Sequence, residues 1–201
     1  DLHILNHADA DVRDQAPVTA LEQDASGVTV TIGSGETLRG RYLIGADGAN
    51  SRVSQLVSLS KDHQTGIAIE GEIPVEPALL EEYADTALFV FGTPRQGYLW
   101  IFPKATHLSV GIGTFQRRVS NMKQVLHKEM AKLGIEIDGA RLRGHPLPIH
   151  LKQETLQRGR VLLVGDAAGL MDPLLGEGIR HAVDSGHLAA KSLLDHSLQG
   201  Y

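Results

Sequence analysis

Apolar and polar residues alternate along much of the first half of this chain. Val28, Val30 and Ile32 take every second place, "GSGE" at 33–36 turns the chain, and "TLRGRYLIGA" runs out again. A period of two marks half-buried strands, so a hairpin should feed a buried strand at 42–45. "ADGANSRV" then makes a tight turn into a short helix around 51–57, with Asn50 and Ser51 as capping candidates. From 66 to 115 one strand follows another: "TGIAIEGEIPV", "TALFVFG", "GYLWIFPK" and "HLSVGIGTF", separated by Gly, Pro and charged turns. That spacing predicts an antiparallel sheet, with a short helix over 76–85.

Past residue 119 the period changes. "SNMKQVLHKEMAKLGI" opens on an N-cap candidate and puts Met122, Val125, Leu126 and Met130 at helical spacing. "RGHPLPIH" reads as extended, because each Pro disfavours helix at the residue before it. "RVLLVGD" is apolar throughout, as a strand covered on both faces must be. "GIRHAVDSGHLAAKSLLDH" sets Ile179, Ala182, Val183, Leu188, Ala189 and Leu193 along one side of a long helix. The order is β/α, then antiparallel β, then β/α. We therefore expect an α/β fold with an inserted antiparallel sheet, α+β as a whole. Residues 1–60 and 151–201 would share one unit, and residues 61–150 would build the other.

Composition narrows the possible partners. With 42% hydrophobic and 21% charged residues, the 201-residue chain can bury a core. A net charge of −5 without a basic run argues against nucleic acid or an anionic membrane as an electrostatic partner. Ten His are scattered without ligand spacing, and His145 and His150 flank two prolines. The absence of Cys excludes disulfides and thiolate chemistry from this chain. No apolar stretch approaches the ~20 residues that span a bilayer.

Candidate chemistry gathers at two strand ends. Gly165 and Asp166 close the apolar run at its carboxyl end, where open α/β sheets bind their ligands. A carboxylate there can accept hydrogen bonds from sugar-like hydroxyls, and the small Ala167, Ala168 and Gly169 permit close approach. The alternative is an Asp that only caps a turn. In "DPLLGEGI", Pro173 fixes the turn. Gly176, Glu177, Gly178 and Ile179 should present uncovered amides at the start of the long helix. A helix N-terminus carries about half a positive charge and holds anions or electron-rich oxygens. "YLIGADGANSRV" has the same form, with Asp47 and Gly48 at the turn and Arg52 available to a phosphate or carboxylate. Its plain alternative is an ordinary Asp-Gly turn. Tyr98, Trp100 and Phe102 alternate and so share one sheet face, continued by Phe89 and Phe91. That wall either lines a cavity for an elongated hydrocarbon or is ordinary core.

These stretches carry a resemblance. "LIGADGANSRV" resembles the second signature of FAD-dependent oxidoreductases of the aromatic-hydroxylase type, and "VLLVGDAAGLMDPLLGEGI" resembles their GD signature. "GYLWIFPK" followed by "HLSVGIGTF" is similar to the substrate sheet of the geranylgeranyl reductase group. The resemblance covers about residues 28–194. It implies that Asp166 binds the ribityl chain of FAD, that the amides of 174–178 face the flavin, and that Asp47 and Gly48 shape the FAD site. It also implies that Tyr98, Trp100 and Phe102 face an isoprenoid cavity. The reaction implied is reduction of prenyl carbon–carbon double bonds, with NAD(P)H or a ferredoxin-like protein as electron donor. The alternatives within the resemblance are an aromatic monooxygenase or halogenase, and a quinone-linked dehydrogenase. An isolated lipid-binding piece without catalysis is the alternative outside it. The family's opening G-x-G-x-x-G is absent, since "GSGETLRG" sits in a hairpin. The resemblance therefore implies the later part of a longer, cytoplasmic reductase with peripheral membrane contact through its lipid substrate. The piece alone is expected to bind FAD weakly and to pair through exposed edges as a dimer.

Overall fold

The computed structural model describes residues 2–59, 64–116, 119–149 and 155–195. A short exposed helix α1 (Leu2–Asn6) precedes an antiparallel meander of β1 (Val18–Gln23), β2 (Val28–Ile32) and β3 (Thr37–Gly40). The outward run over 37–46 divides. β3 stays in the meander, and β4 (Leu43–Gly45) joins another sheet before the helix α2 (Arg52–Leu56). The expected strands of the middle segment form as β5 (Gln64–Pro74), β6 (Leu88–Phe91), β7 (Gly97–Pro103) and β8 (His107–Thr114). Between β5 and β6 lies α3 (Pro77–Glu82), opened by a proline where the missing N–H has no helical partner to lose. Then come α4 (Met122–Lys132), β9 (Arg143–Ile149), β10 (Gln157–Arg158), β11 (Val161–Leu163) and α5 (Ile179–Leu194).

The middle sheet is antiparallel throughout, in the order β6-β7-β8-β5-β9. Pro146 and Pro148 lie in β9, an edge strand, which needs only one of its two ladders. His150 of the extended segment falls outside the described residues. Period-two alternation splits this sheet between two jobs. Leu99, Ile101, Leu108, Val110 and Ile112 face α4 and pack with Met122, Leu126 and Met130, all of them buried. Full burial of each such side chain is worth about 1.5–3 kcal/mol. The opposite face carries Tyr98, Trp100 and Phe102.

β11 lies between β10 and β4, and β4 runs parallel to it with Val161 opposite Leu43. Val161 and Leu163 pack with Val28, Val53 and Val57 on one side, and Leu162 and Val164 pack with Ala189 of α5 on the other. Double coverage explains the uninterrupted apolar run. Gly45 is required where these layers meet. A Cβ there would stand 2.7 Å from Leu163 Cδ2 and 2.9 Å from Val53 Cγ1.

The expectation for α5 needs correction. Ala189 is buried, but Ile179 is 82% exposed and Val183 62% exposed, and Leu188 and Ala182 are also exposed. The helix docks instead through small residues. Gly165 approaches Ala182 so closely that an added Cβ would lie 3.0 Å from its Cβ, and the Gly165 N–H donates to Ser185 Oγ at 3.0 Å. A narrow seam of Ala and Ser sets the helix against the turn, Leu193 packs beside Ala189 farther along, and Ile179, Val183 and Leu188 point outward.

Candidate functional site

The parallel pairing of β4 and β11 brings their carboxyl ends together, and with them Asp47 and Asp166. The two carboxylates differ in their commitments. Asp47 accepts from Ser51 Oγ at 2.5 Å and from the N–H groups of Arg52 and Val53 at 2.7 and 3.1 Å. It is thus a cap of α2, aided by Ser51, whose Oγ accepts from the Ser54 N–H. Gly48 takes φ +79°, which the turn demands and glycine supplies without strain. The Arg52 guanidinium donates to the Thr19 carbonyl at 3.5 Å, and it forms no ion pair with a carboxylate among the described residues.

Asp166 is half-buried in a 3-10 turn, Gly165–Ala168, and its carboxylate accepts no hydrogen bond from the described residues. Burial alone pushes its carboxyl above the ordinary range. Its Oδ1 faces the start of α5. A Cβ built on Gly178 would lie 3.2 Å away.

The loop from Asp172 to Gly178 overturns part of the sequence reading. Leu174 and Leu175 donate their N–H groups to Asp172 Oδ1 at 2.9 and 2.6 Å, and Gly176 donates to the Asp172 carbonyl at 2.9 Å. The amides of 174–176 are therefore spent inside the loop. Those of Glu177, Gly178 and Ile179 remain without an acceptor among the described residues. The Glu177 carboxylate bends back to accept from the Arg180 N–H at 2.6 Å, so Glu177 presents its backbone and not its side chain. Pro173 is exposed at the apex of the turn.

A cavity of about 760 Å³ opens between this loop and the free face of the middle sheet. Tyr98, Trp100 and Phe102 form one wall. Phe89 extends it with ring centroids 5.6 Å from Tyr98 and 5.2 Å from Phe102. Phe91 and Tyr98 are 5.5 Å apart. Pro173, Leu174, Leu175, Gly176 and Ile179 close the loop side. Tyr98 joins the two walls, since a Cβ on Gly176 would stand 2.9 Å from its hydroxyl. Burial, and then the negative charge of Asp172, push the Tyr98 phenol above its ordinary value. The cavity thus runs from the aromatic sheet to the threshold of the free amides.

Residues 3–200 match the family described as FAD binding domain. The chain belongs to this family. It is 35% identical over 191 residues to a geranylgeranyl diphosphate reductase from the chloroplast of Arabidopsis thaliana, covering 92% of this chain and 40% of that protein. The chain therefore spans less than half the length of that curated relative. Among solved structures it is similar to a geranylgeranyl bacteriochlorophyll reductase-like protein of Thermoplasma acidophilum. The TM-score there is 0.67 at 20% identity, over 92% of this chain and 51% of that one. A flavin-dependent halogenase is similar to the same degree, with TM-score 0.68 at 20% identity over 92% of this chain and 36% of that one. Likeness at that identity shows the fold.

Within this FAD-binding-domain fold, two features escaped the sequence reading. Asp172 organises the loop, and its only signal was an Asx-turn pattern ahead of a proline. Glu70, Glu72, His145 and Lys104 also line the cavity, on the same sheet as the aromatic residues. Among the described residues no His, Asp and Glu group is placed to hold a metal, and no helix is long and apolar enough to cross a membrane.

Proposed function

We propose that this chain serves in an FAD-dependent reductase that saturates carbon–carbon double bonds of a prenyl chain. The reading is carried by one observation: the aromatic cavity ends at the loop that precedes the three free amides. FAD fits the residues present. A half-buried carboxylate without a partner suits the ribityl hydroxyls, and Gly178 leaves room beside it for close approach. Free N–H groups at the N-terminus of a long helix suit an electron-rich ring edge. In this reading Asp166 holds the ribityl chain, with Gly165 and Ala167 giving it clearance. The amides of Glu177, Gly178 and Ile179 face the ring, Pro173 and Gly176 shape the loop, and Asp47 with Gly48 sets the neighbouring turn. Residues 1–60 and 151–201 form the cofactor layer, a Rossmann-like remnant, and residues 61–150 supply the substrate sheet.

When bound, reduced FAD supplies the hydride, and its reductant would be NAD(P)H or a ferredoxin-like protein. The chain's own residues bind and orient. Tyr98, Trp100 and Phe102 hold the prenyl chain along the sheet, and the loop at 173–176 keeps water from the junction. The names of the relatives favour this substrate over the compact aromatic of a monooxygenase or halogenase. The test is an anaerobic titration of the flavin-loaded protein. After chemical reduction, addition of a geranylgeranyl compound should restore the yellow flavin band and yield a product two mass units heavier per reduced bond. A band that returns only with oxygen and an aromatic substrate would replace the reading with the monooxygenase one.

A further inference from the structure

The aromatic wall ends on a cation. Tyr98, Trp100, Phe102 and Lys104 stand at every second place, so β7 and the residue after it put three rings and then an ammonium on one face. All four line the cavity. Tyr98 meets the loop at Gly176. Lys104 lies at the other end, exposed, on a turn that its N–H closes by donating to the His107 carbonyl at 2.8 Å. Six residues of extended chain at about 3.3 Å each separate the two ends by roughly 20 Å. The carboxylates on this face have other partners: Glu72 Oε2 lies 2.5 Å from His107 Nε2, and Glu70 Oε1 lies 3.1 Å from His145 Nε2. Lys104 itself forms no ion pair among the described residues. Ser109, in the row of Phe102 and Glu72, adds a hydroxyl to this end.

We propose that Lys104 holds the phosphate end of a phosphorylated prenyl ligand, so that the chain lies tail-first along the rings toward the loop at 173–176. This rests on the prenyl reading above. Such a ligand is a long hydrocarbon with all its charge at one end. The cavity has the same polarity, with rings and apolar loop residues inside and an ammonium at the exposed mouth. The reverse orientation would strip the phosphate of water among Tyr98, Leu174 and Leu175, at a large cost. The free amides of 177–179 lie near that end, but in the reductase reading the flavin takes them. The Glu–His contacts keep Glu70 and Glu72 from competing for the ammonium. A ligand anchored at Lys104 brings to the Gly176 junction the double bonds remote from its phosphate, not those beside it.

The test uses Trp100, the one Trp of the chain, as the reporter inside the cavity. Geranylgeraniol and geranylgeranyl diphosphate are titrated below their micelle-forming concentrations, with a chelator present, and quenching of Trp emission is followed. Lys104→Gln should weaken diphosphate binding about three- to tenfold and leave the alcohol unchanged. Lys123→Gln, on α4 across the sheet, should change neither and controls for net charge. Geranylgeranylglyceryl phosphate separates the two sources of phosphate: the ligand that loses more to Lys104→Gln is the one that places its phosphate at the turn. Orientation is read by phosphorus NMR. The chain has no Cys, so Ala105→Cys beside Lys104 and Arg180→Cys beside the loop each carry a single nitroxide. The label at 105 should broaden the bound diphosphate resonances more than the label at 180. Stronger broadening from 180, or a Lys104→Gln variant that weakens both ligands equally or neither, overturns the proposal while leaving the prenyl cavity in place. No binding of either ligand to the unaltered chain removes the prenyl reading, and the proposal with it.

Discussion

Gly111→Ala is the sharpest probe of the cavity, because a single methyl group must displace an indole. A Cβ on Gly111 would lie 2.1 Å from Cζ2, 2.5 Å from Cε2 and 2.7 Å from Cη2 of Trp100. Carbon atoms rest about 3.5–4.0 Å apart, so the ring must retreat by more than an ångström. The sheet backbone blocks one direction, and Tyr98 and Phe102 flank the ring with centroids 5.9 and 6.4 Å away. Only the cavity is open to it. Overpacking of this kind costs about 1–3 kcal/mol, which at about 2–4 °C per kcal/mol lowers Tm by roughly 2–12 °C. Thermal unfolding measures the loss, and the emission maximum of the one Trp reports the shift of the ring toward solvent. In a Trp100→Ala background the clash is gone. Gly111→Ala should then be neutral or slightly stabilising, since Gly in a strand costs about 0.5–1 kcal/mol relative to Ala. The coupling energy of the double-mutant cycle should be about 1–3 kcal/mol. If Gly111→Ala costs less than about 0.5 kcal/mol in both backgrounds and leaves the emission unchanged, the indole does not lie over Gly111 as the structure places it.

Three other substitutions test separate layers. Asp166→Asn removes a carboxyl whose pKa burial raises. Such a group destabilises the fold once ionised, and the penalty sets in as pH rises above the ordinary value near 3.8. Urea unfolding at pH 7 should therefore show the ligand-free variant more stable than wild type, with the difference vanishing below pH 4, while FAD affinity falls; a variant less stable at pH 7 would contradict the burial argument. Asp172→Ala leaves the Leu174 and Leu175 amides without their acceptor, at a cost of about 1 kcal/mol, and hydrogen exchange at those two amides should quicken well before the rest of the chain responds. Met130→Ala, beneath the middle sheet, should cost about 2–4 kcal/mol in equilibrium unfolding, because Met130 is fully buried against that sheet.

How much of this could be read from the chain depended on whether a residue's task is local. β5 to β8 and α4 follow from period-two and helical spacing, because each buries one face against a neighbour built from the same stretch. The parallel pairing of β4 with β11 was foreshadowed by two apolar runs that each end on an Asp turn. The choice between a cap and a free carboxylate was not, since the flanking residues look alike. Ser51 Oγ and two amides occupy Asp47, whereas Asp166 sits in a 3-10 turn whose first N–H, that of Gly165, is taken by Ser185, twenty residues later in the chain. That partner lies on another element, so no local pattern could separate the two. The same reason hid the seam of α5, where small residues dock while Ile179, Val183 and Leu188 face out.

The polar side of β5 was misleading in a more general way. Ala68, Glu70 and Glu72 alternate with Ile67, Ile69 and Ile73, which locally describes a solvent face. In the fold those positions share a surface with Trp100, because antiparallel pairing through β8 sets both strands' cavity faces alike. The glycines at 111 and 113 are the visible trace of that arrangement. A strand that is buried along nearly its whole length yet bears two glycines two residues apart must have large groups lying over it. Over Gly111 lies the indole of Trp100, and a Cβ on Gly113 would meet Leu147 at 3.4 Å and Ala68 and Trp100 at 3.6 Å. Period-two glycines facing period-two aromatics thus mark the base of a cavity. The side chains next across the sheet from those glycines are Glu70 beyond Gly111 and Ala68 beyond Gly113, so one carboxylate stands beside the rings at that point of the cavity.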